Sequence, residues 1–420
     1  MTAYKYIIVG GGLAGQRAAK GVRKVDAEGS TALITREPHV PYERPPLSKG
    51  YLIGEEGLDH VFPEDESWYG EMNIDLKRGA VVVGVDAEAH VVSLDDGQAL
   101  SYEKLLLATG GHAWRLPLPG ADLENVFTLR TIEDSDAIRS AARHAKKALV
   151  MGGSFIGSEV AASLTQMGVD VTMVFPESRL LRRIVPQPFS ALLHETFAGE
   201  GVRILSGTKP ERLEGNGGVE RVVLDSGDSL DVGMVVMGVG IRLNTELAEE
   251  AGLAMTERGA VIVDEYLRTS DPDIYAAGDI AAWPDRTFGR LRVEHWDVAR
   301  RQGLRAGRNM AGRNMAGRNM AGEQKPYTSL PYFFSDMFNL SFEVWGNLNA
   351  WDETVLRGEL GGPQFMLFYF DEGALVGVLT VGRVGDARSV IPKLVEARLA
   401  YGEAAEKLGD EGVELSSLVK

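Results

Sequence analysis

The chain has 420 residues, enough for two or three domains, and its 44% hydrophobic and 25% charged content is that of an ordinary globular protein. A formal charge of −16 argues against a generic nucleic-acid binder, whose phosphate contacts need a basic surface. There is no cysteine, which excludes disulfides, thiolate metal sites, iron–sulfur clusters and dithiol catalysis, and the seven scattered histidines lack metal-ligand spacing, so no metal is expected.

YKYIIVGGGLAGQRAA opens the chain as a buried strand, a glycine turn and a helix. Gly10, Gly12 and Gly15 have the spacing at which the first glycine turns the chain and the second lets backbone approach a pyrophosphate. The third lets helix pack on strand. A strand so near the start leaves no room for a signal peptide, and no hydrophobic run is long enough to span a bilayer; a cytoplasmic protein is expected. The next strand, TALITREP, ends on Arg36 and Glu37. PYERPPLSKGYL reads as an extended segment stiffened by its prolines, with Lys49 at its end. KLLLATGG is a strand running into the small-residue turn Ala108, Thr109 and Gly110.

KKALVMGGSFIGSEVAASLTQMGVDVTMVFPE repeats the strand–turn–helix–strand order, with Gly152, Ser154 and Gly157 at the turn. Two such units predict two bound dinucleotides or an internal duplication. A carboxylate after the second strand of this unit, here Glu177, can accept hydrogen bonds from adenosine ribose hydroxyls and repel a 2′-phosphate. VVMGVGIRLNTELA closes the repeat, TSDPDIYAAGDIAAW is a strand running into Gly278 and Asp279, and RVEHWDVARR starts a long helix.

Together these motifs resemble the two-dinucleotide flavoprotein reductases across nearly the whole chain. The resemblance implies an α/β fold of two Rossmann-like dinucleotide-binding domains, the second inserted in the first, plus a C-terminal α+β interface domain. FAD is expected in residues 1–112 and 246–324, NAD(P)H in 113–245, and the third domain in 325–420. The resemblance assigns cofactor contacts to Gly10, Gly12, Gly15, Arg44, Lys49, Ala108, Thr109, Gly110, Arg130, Gly152, Phe155, Ile156, Glu159, Glu177, Gly240, Asp279, Glu294, His295 and the Trp296 backbone. One departure stands out. The acidic residue expected at the end of the second strand is displaced: Arg36 occupies its usual position, so either Glu37 substitutes or the FAD ribose is held differently.

PYERPPLSK and GGSFIGSE resemble the ferredoxin-reductase, apoptosis-inducing-factor and monodehydroascorbate-reductase branches. There, the lysine matching Lys49 lies beside the flavin and pairs with the glutamate matching Glu159; an ammonium there favours the reduced, anionic ring. Glu177 with its FPE tripeptide resembles the nicotinamide-selecting site of monodehydroascorbate reductases. NADH is therefore the expected donor, with NADPH possible because Arg179, Arg182 and Arg183 follow. Arg300 and Tyr332 match the arginine and tyrosine that bind the anionic radical in that branch, although the cysteine-bearing loop of its plant members is missing here. The expected acceptor is monodehydroascorbate or a similar small radical or quinone; the alternatives are an electron carrier such as a ferredoxin or rubredoxin, and no turnover substrate in a redox-gated interaction protein. A monomer or a homodimer is compatible with each, with neither nucleic acid nor membrane as partner.

One segment stays outside this scheme. The pentapeptide Ala-Gly-Arg-Asn-Met occurs three times between Ala306 and Met320. A five-residue step spreads its arginines around a helix, and each interior glycine costs about 1 kcal/mol relative to alanine. It is expected to be a duplicated, protruding helix end, the alternative being a basic arm for an acidic partner.

Overall fold

The computed structural model describes residues 1–315, 324–382, 385 and 387–419. They fall into two compact units, each built from three stretches of chain.

The first unit comprises 1–43, 58–112 and 242–331. Thr2–Val9 pairs in parallel with Thr31–Thr35 on one side and Ala99–Leu107 on the other. Ile74–Arg78 extends the sheet beyond Thr31–Thr35, and Ile274–Ala276 adds to the far half of Ala99–Leu107. Because the sheet is covered on both faces, its central strands are apolar runs rather than alternating ones: Tyr6, Ile7, Ile8, Leu33, Leu105, Leu106 and Ile274 are fully buried. Each such side chain contributes about 1.5–3 kcal/mol of burial.

Helix Leu13–Arg23 lies against helix Trp296–Met315 at unusually short range. A Cβ on Gly303 would meet the Ala14 carbonyl oxygen at 2.1 Å, and one on Gly307 would meet that of Ala18 at 2.0 Å. Those glycines are where the helices touch. Gly307 belongs to the first pentapeptide copy, which corrects the expectation of a protruding end. Ala306 and Met310 of that copy are fully buried, and its Asn309 side chain donates to the carbonyls of Tyr266 and Lys325 at 2.9 and 3.0 Å. The remainder of the repeat, from residue 316, lies outside the described residues.

The second unit comprises 44–57, 113–241 and 332–420. This grouping sets residues 44–57 apart from the 1–112 stretch with which the sequence expectation counted them. Its parallel sheet has the spatial order Arg203–Ser206, Asp170–Phe175, Lys147–Met151, Met234–Met237 and Val126–Thr128. Thr131 and Asp134 form a capping box that starts helix Ile132–Ala142. The C-terminal portion is an antiparallel sheet ordered Tyr332–Met337, Leu340–Gly346, Ala374–Val381, Phe365–Asp371 and Glu353–Gly358, with helices Ala387–Glu396 and Tyr401–Gly409.

The proline segment is not extended, as its composition suggested. Pro45–Ser48 forms a 3-10 turn with its prolines at the first two positions, and Gly50–Ile53 continues as one helical turn. Proline's fixed φ suits the first positions of a helical turn as well as it suits an extended strand, so rigidity was legible and direction was not.

Candidate active site

The two glycine turns are built alike. In the first, Gly10 has φ +121° and a Cβ there would strike the Ala108 carbonyl oxygen at 2.2 Å, while one on Gly15 would strike that of Gly10 at 1.9 Å. A Cβ on Gly12 would meet nothing within 4 Å. Gly10 and Gly15 are thus required by packing, whereas Gly12 borders open space at the N-cap of Leu13–Arg23, where no side chain caps the helix. In the second turn Gly152 has φ +114° and packs on Gly238, and Gly157 packs on Gly152. Ser154 takes the place of Gly12: it is exposed, extended, and caps nothing with its side chain. A serine is accepted there because that position faces outward. Both helix N-termini can accept a phosphate on their N–H groups.

At the crossing strands of the first unit, the Asn244 amide donates to the Thr109 carbonyl at 3.0 Å, and the Thr109 hydroxyl donates to the Asn244 carbonyl. Gly240, in the second unit, has φ +103° with open space around it. The Tyr42 hydroxyl donates to the Glu37 carboxylate, and Arg36 is exposed. Glu177 faces Arg183 at 3.9 Å, and the Arg179 guanidinium is engaged by the Val185 carbonyl at 2.6 Å. Ile156 is 42% exposed, an unusual state for a large apolar side chain on the first turn of this helix. Phe155 packs edge-on against Phe333, and Arg44 donates to the Arg130 carbonyl.

The expected Lys49–Glu159 pair is present in the second unit at 2.8 Å. Glu159 is only 5% exposed, and two hydroxyls join the ammonium on its carboxylate. Ser335 donates to Oε1 at 2.7 Å and Ser48 to Oε2 at 2.5 Å. Ser163, one turn beyond Glu159, donates to the Ser48 carbonyl at 2.6 Å, and Ser135 donates to that of Leu47 at 2.9 Å. The Phe334 ring lies 5.7 Å from the Lys49 ammonium. A buried charge needs hydrogen-bond partners, and here three donors share the two oxygens.

In the first unit, Gly278 donates to the fully buried Gln302, and Arg292 reaches both the Asp279 carbonyl and the Glu294 carboxylate. Burial pushes the His295 imidazole down to about 4, with the Asp279 charge opposing the shift. Helix Trp296–Met315 starts immediately after His295, as expected. Arg300 is not uncommitted: it binds Asp297 at 2.7 Å and lies over the Trp296 ring, while Arg301 takes the other Asp297 oxygen at 2.5 Å. In the second unit, the Tyr332 hydroxyl donates to Glu343 and accepts from Arg388 at 3.1 Å. Burial, then Glu343, raises its pKa, so the phenol stays protonated. Among the described residues no group of three or more His, Asp or Glu could hold a metal ion, and no helix is long and apolar enough to cross a membrane.

The pyridine nucleotide-disulphide oxidoreductase family matches residues 4–303, which contain both glycine turns and the Lys49–Glu159 pair. The chain belongs to that family. A reductase C-terminal domain matches residues 332–419. The fold is thus the mixed α/β one expected, with dinucleotide-binding domains and a C-terminal reductase domain. Members of the family contain FAD and use NAD(P)H, in agreement with the cofactors expected from the motifs. The "disulphide" of the family name has no counterpart in a chain without cysteine.

Monodehydroascorbate reductases and ferredoxin reductases are both among its relatives. Monodehydroascorbate reductase 3 of Arabidopsis thaliana is 34% identical, covering 99% of this chain and 97% of its own. The ferredoxin–NAD(+) reductase component of a 3-phenylpropionate/cinnamic acid dioxygenase from Photorhabdus laumondii is 33% identical, covering 92% and 94%. Among solved structures, a ferredoxin reductase from Rhodopseudomonas palustris superposes with a TM-score of 0.90 at 31% identity, covering 99% of this chain and all of that one. A covalent putidaredoxin reductase–putidaredoxin complex gives 0.90 at 30%, covering 100% and 98%.

Sequence reasoning missed Ser48 and Ser335. Ser48 adjoins Lys49 and Ser335 lies three residues beyond Tyr332, both singled out, but serine carries no signal of its own until the fold shows which hydroxyls are buried. Arg388 was missed because a surface arginine carries no signal until Tyr332 and Glu343 stand beside it.

Proposed function

We propose that this oxidoreductase binds FAD and NADH and passes electrons from NADH to a small electron-carrier protein of the ferredoxin type. The observation that carries the donor half is the buried Lys49–Glu159 pair, in a chain with two open glycine turns. We assign FAD to residues 1–112 and 246–324 through Gly10, Gly12, Gly15, Glu37, Thr109, Asp279 and the start of helix Trp296–Met315. NADH is assigned to 113–245 through Gly152, Phe155, Ile156, Glu177 and Gly240, and 325–420 form the third domain. The open space at Gly12 and the absence of a side-chain cap fit a pyrophosphate. When bound, FAD accepts a hydride from the nicotinamide and releases the electrons to the acceptor. The chain's own part is to bind, orient and set charge: Glu177 accepts from the ribose hydroxyls of NADH, and Lys49 offers a fixed positive charge.

For the acceptor, existing charge pairs favour a carrier. Arg300 is bound to Asp297, and the Tyr332 hydroxyl faces a carboxylate. A small anion would have to displace those partners, whereas a carrier docks over a broad surface. Monodehydroascorbate is the second reading, supported by the 34% identity over nearly the full chain. A cytoplasmic location is part of the proposal. The test is anaerobic NADH titration of the purified protein, then turnover with monodehydroascorbate, a quinone, a ferredoxin and a rubredoxin. Bleaching of flavin absorbance and carrier reduction are expected; a protein that holds no flavin ends the proposal. Slow flavin reoxidation with every acceptor would favour a redox-gated interaction protein instead.

A further inference from the structure

We propose that Ser335 and Ser48 are positioning residues that fix the charge presented by Lys49, acting through the Glu159 carboxylate. This rests on the proposed NADH–FAD reading.

A carboxylate offers about four lone-pair sites, and one ammonium fills only some of them. Glu159 is nearly inaccessible to water, whereas the Lys49 side chain keeps 19% of its surface exposed. Glu159 already holds the ammonium on Oε1; without other donors it would hold it across both oxygens and consume more of its positive potential. The two hydroxyls compete for those acceptor sites. Ser335 shares Oε1 with Lys49, at 2.7 and 2.8 Å, and Ser48 occupies Oε2 at 2.5 Å. Both hydroxyls are neutral, so they satisfy the carboxylate without adding charge. Each is held from outside the pair: Ser335 is fully buried in strand Tyr332–Met337, and the Ser48 carbonyl accepts from Ser163. The neighbouring Phe334 ring faces the ammonium. A strand of the C-terminal domain thereby contributes both a hydroxyl to the carboxylate and a ring face to the lysine. That gives this domain a part in setting the charge as well as in packing.

The test compares FAD-loaded wild type, Ser335→Ala, Ser48→Ala, Lys49→Met and the double variant Ser335→Ala/Lys49→Met. Three quantities are measured: the bleaching rate at saturating NADH, the NADH concentration for half that rate, and the flavin midpoint potential from chemical reductant titration. Ser335→Ala is expected to slow saturated bleaching about tenfold, the size of one lost hydrogen bond to a charged group, with half-saturation unchanged. Its midpoint potential should become more negative. In the Lys49→Met background the same substitution should change the rate less than about twofold, because the two act as one unit. A wild-type rate and potential in Ser335→Ala would overturn the inference, and so would an equal loss in both backgrounds. Should Ser335→Ala not accumulate as folded protein, Ser48→Ala carries the same expectations. A wild type that neither NADH nor NADPH bleaches refutes the proposed function instead, and the reductant titration still decides whether Ser335 tunes the bound FAD.

Discussion

Glu37 and Glu177 occupy equivalent places in the two dinucleotide folds. Each stands two residues beyond its second strand, after Thr35 and Phe175. The Glu37 carbonyl accepts from the Gly79 N–H at 3.2 Å and the Glu177 carbonyl from that of Gly207 at 2.9 Å. One residue on, Ala80 donates to Thr35 and Thr208 to Phe175. The displacement of the acidic residue past Arg36 is therefore shared by both folds, and Glu37 is the counterpart of Glu177.

The first prediction follows. Glu177→Ala narrows the preference for NADH over NADPH, since ribose contacts and phosphate repulsion are lost together and Arg183 is freed. Glu37→Ala weakens retention of FAD and leaves nicotinamide selectivity alone. The kcat/KM ratio for the two nicotinamides and the flavin content after dialysis separate the effects. An unchanged ratio in Glu177→Ala means that its carboxylate does not face the ribose.

Asn309 is predicted to be a stability residue. It is 1% exposed and closes a two-way clamp, donating to Tyr266 and Lys325 and accepting from the Lys325 N–H at 3.0 Å. Asn309→Ala leaves buried backbone groups unpaired and should cost about 2–3 kcal/mol, seen as a lower Tm. An unchanged Tm would mean that this clamp does not contribute to stability.

These residues show how far the sequence could be read. The glycine turns and the strands that lead into them were legible, because glycine spacing and apolar runs are local patterns; the Lys49–Glu159 pair was implied by the resemblance of PYERPPLSK and GGSFIGSE to known reductases. The direction of the proline turn was not, since the same φ serves a 3-10 turn and an extended strand. Gly307, as an interior glycine of the repeat, looked like a cost to its helix. Only the crossing with Leu13–Arg23 shows that a side chain there would strike a backbone carbonyl oxygen. Arg300 and Tyr332 were identified by the family resemblance, and the ties of Asp297 to both arginines and of Glu343 to Tyr332 emerged only with the side chains in place.

Two groups with large shifts contribute to the acid limb of stability. His295 is held down at about 4 by burial, below its ordinary value of 6.5. The unfolded chain then binds the extra proton between these values, so this contribution is complete above about pH 6.5 and is lost as pH falls towards 4. Asp26 behaves alike at lower pH. Burial raises its carboxyl, but hydrogen bonds from Lys5, Gly29 and Tyr6 outweigh it and bring it to about 2, from 3.8. Its contribution, of the order of 2 kcal/mol, is present above about pH 4 and lost towards pH 2. Thermal melts across pH 2–8 should show a fall in Tm in each of these two windows. His295→Gln removes the upper one if the imidazole is the titrating group.

The last prediction concerns Arg300, on which the acceptor readings divide. Asp297 is 3% exposed and holds Arg300 and Arg301 on separate oxygens, so Arg300→Ala still leaves its charge paired. The partly exposed Arg300–Asp297 contact is worth only about 0.3–0.5 kcal/mol to the helix, and stability should barely change. Flavin reduction by NADH should also be unaffected, because that half-reaction is assigned to Lys49, Glu159 and Glu177. With a carrier protein as acceptor, losing one surface arginine lowers the reoxidation rate at low ionic strength and much less at high salt, as screening removes the steering that it provides. With monodehydroascorbate the expected change is less than twofold. Stopped-flow reoxidation with each acceptor at two salt concentrations distinguishes the cases. A loss of about tenfold or more with monodehydroascorbate, independent of salt, would mean that the radical takes Arg300 from Asp297, making the small anion the better acceptor.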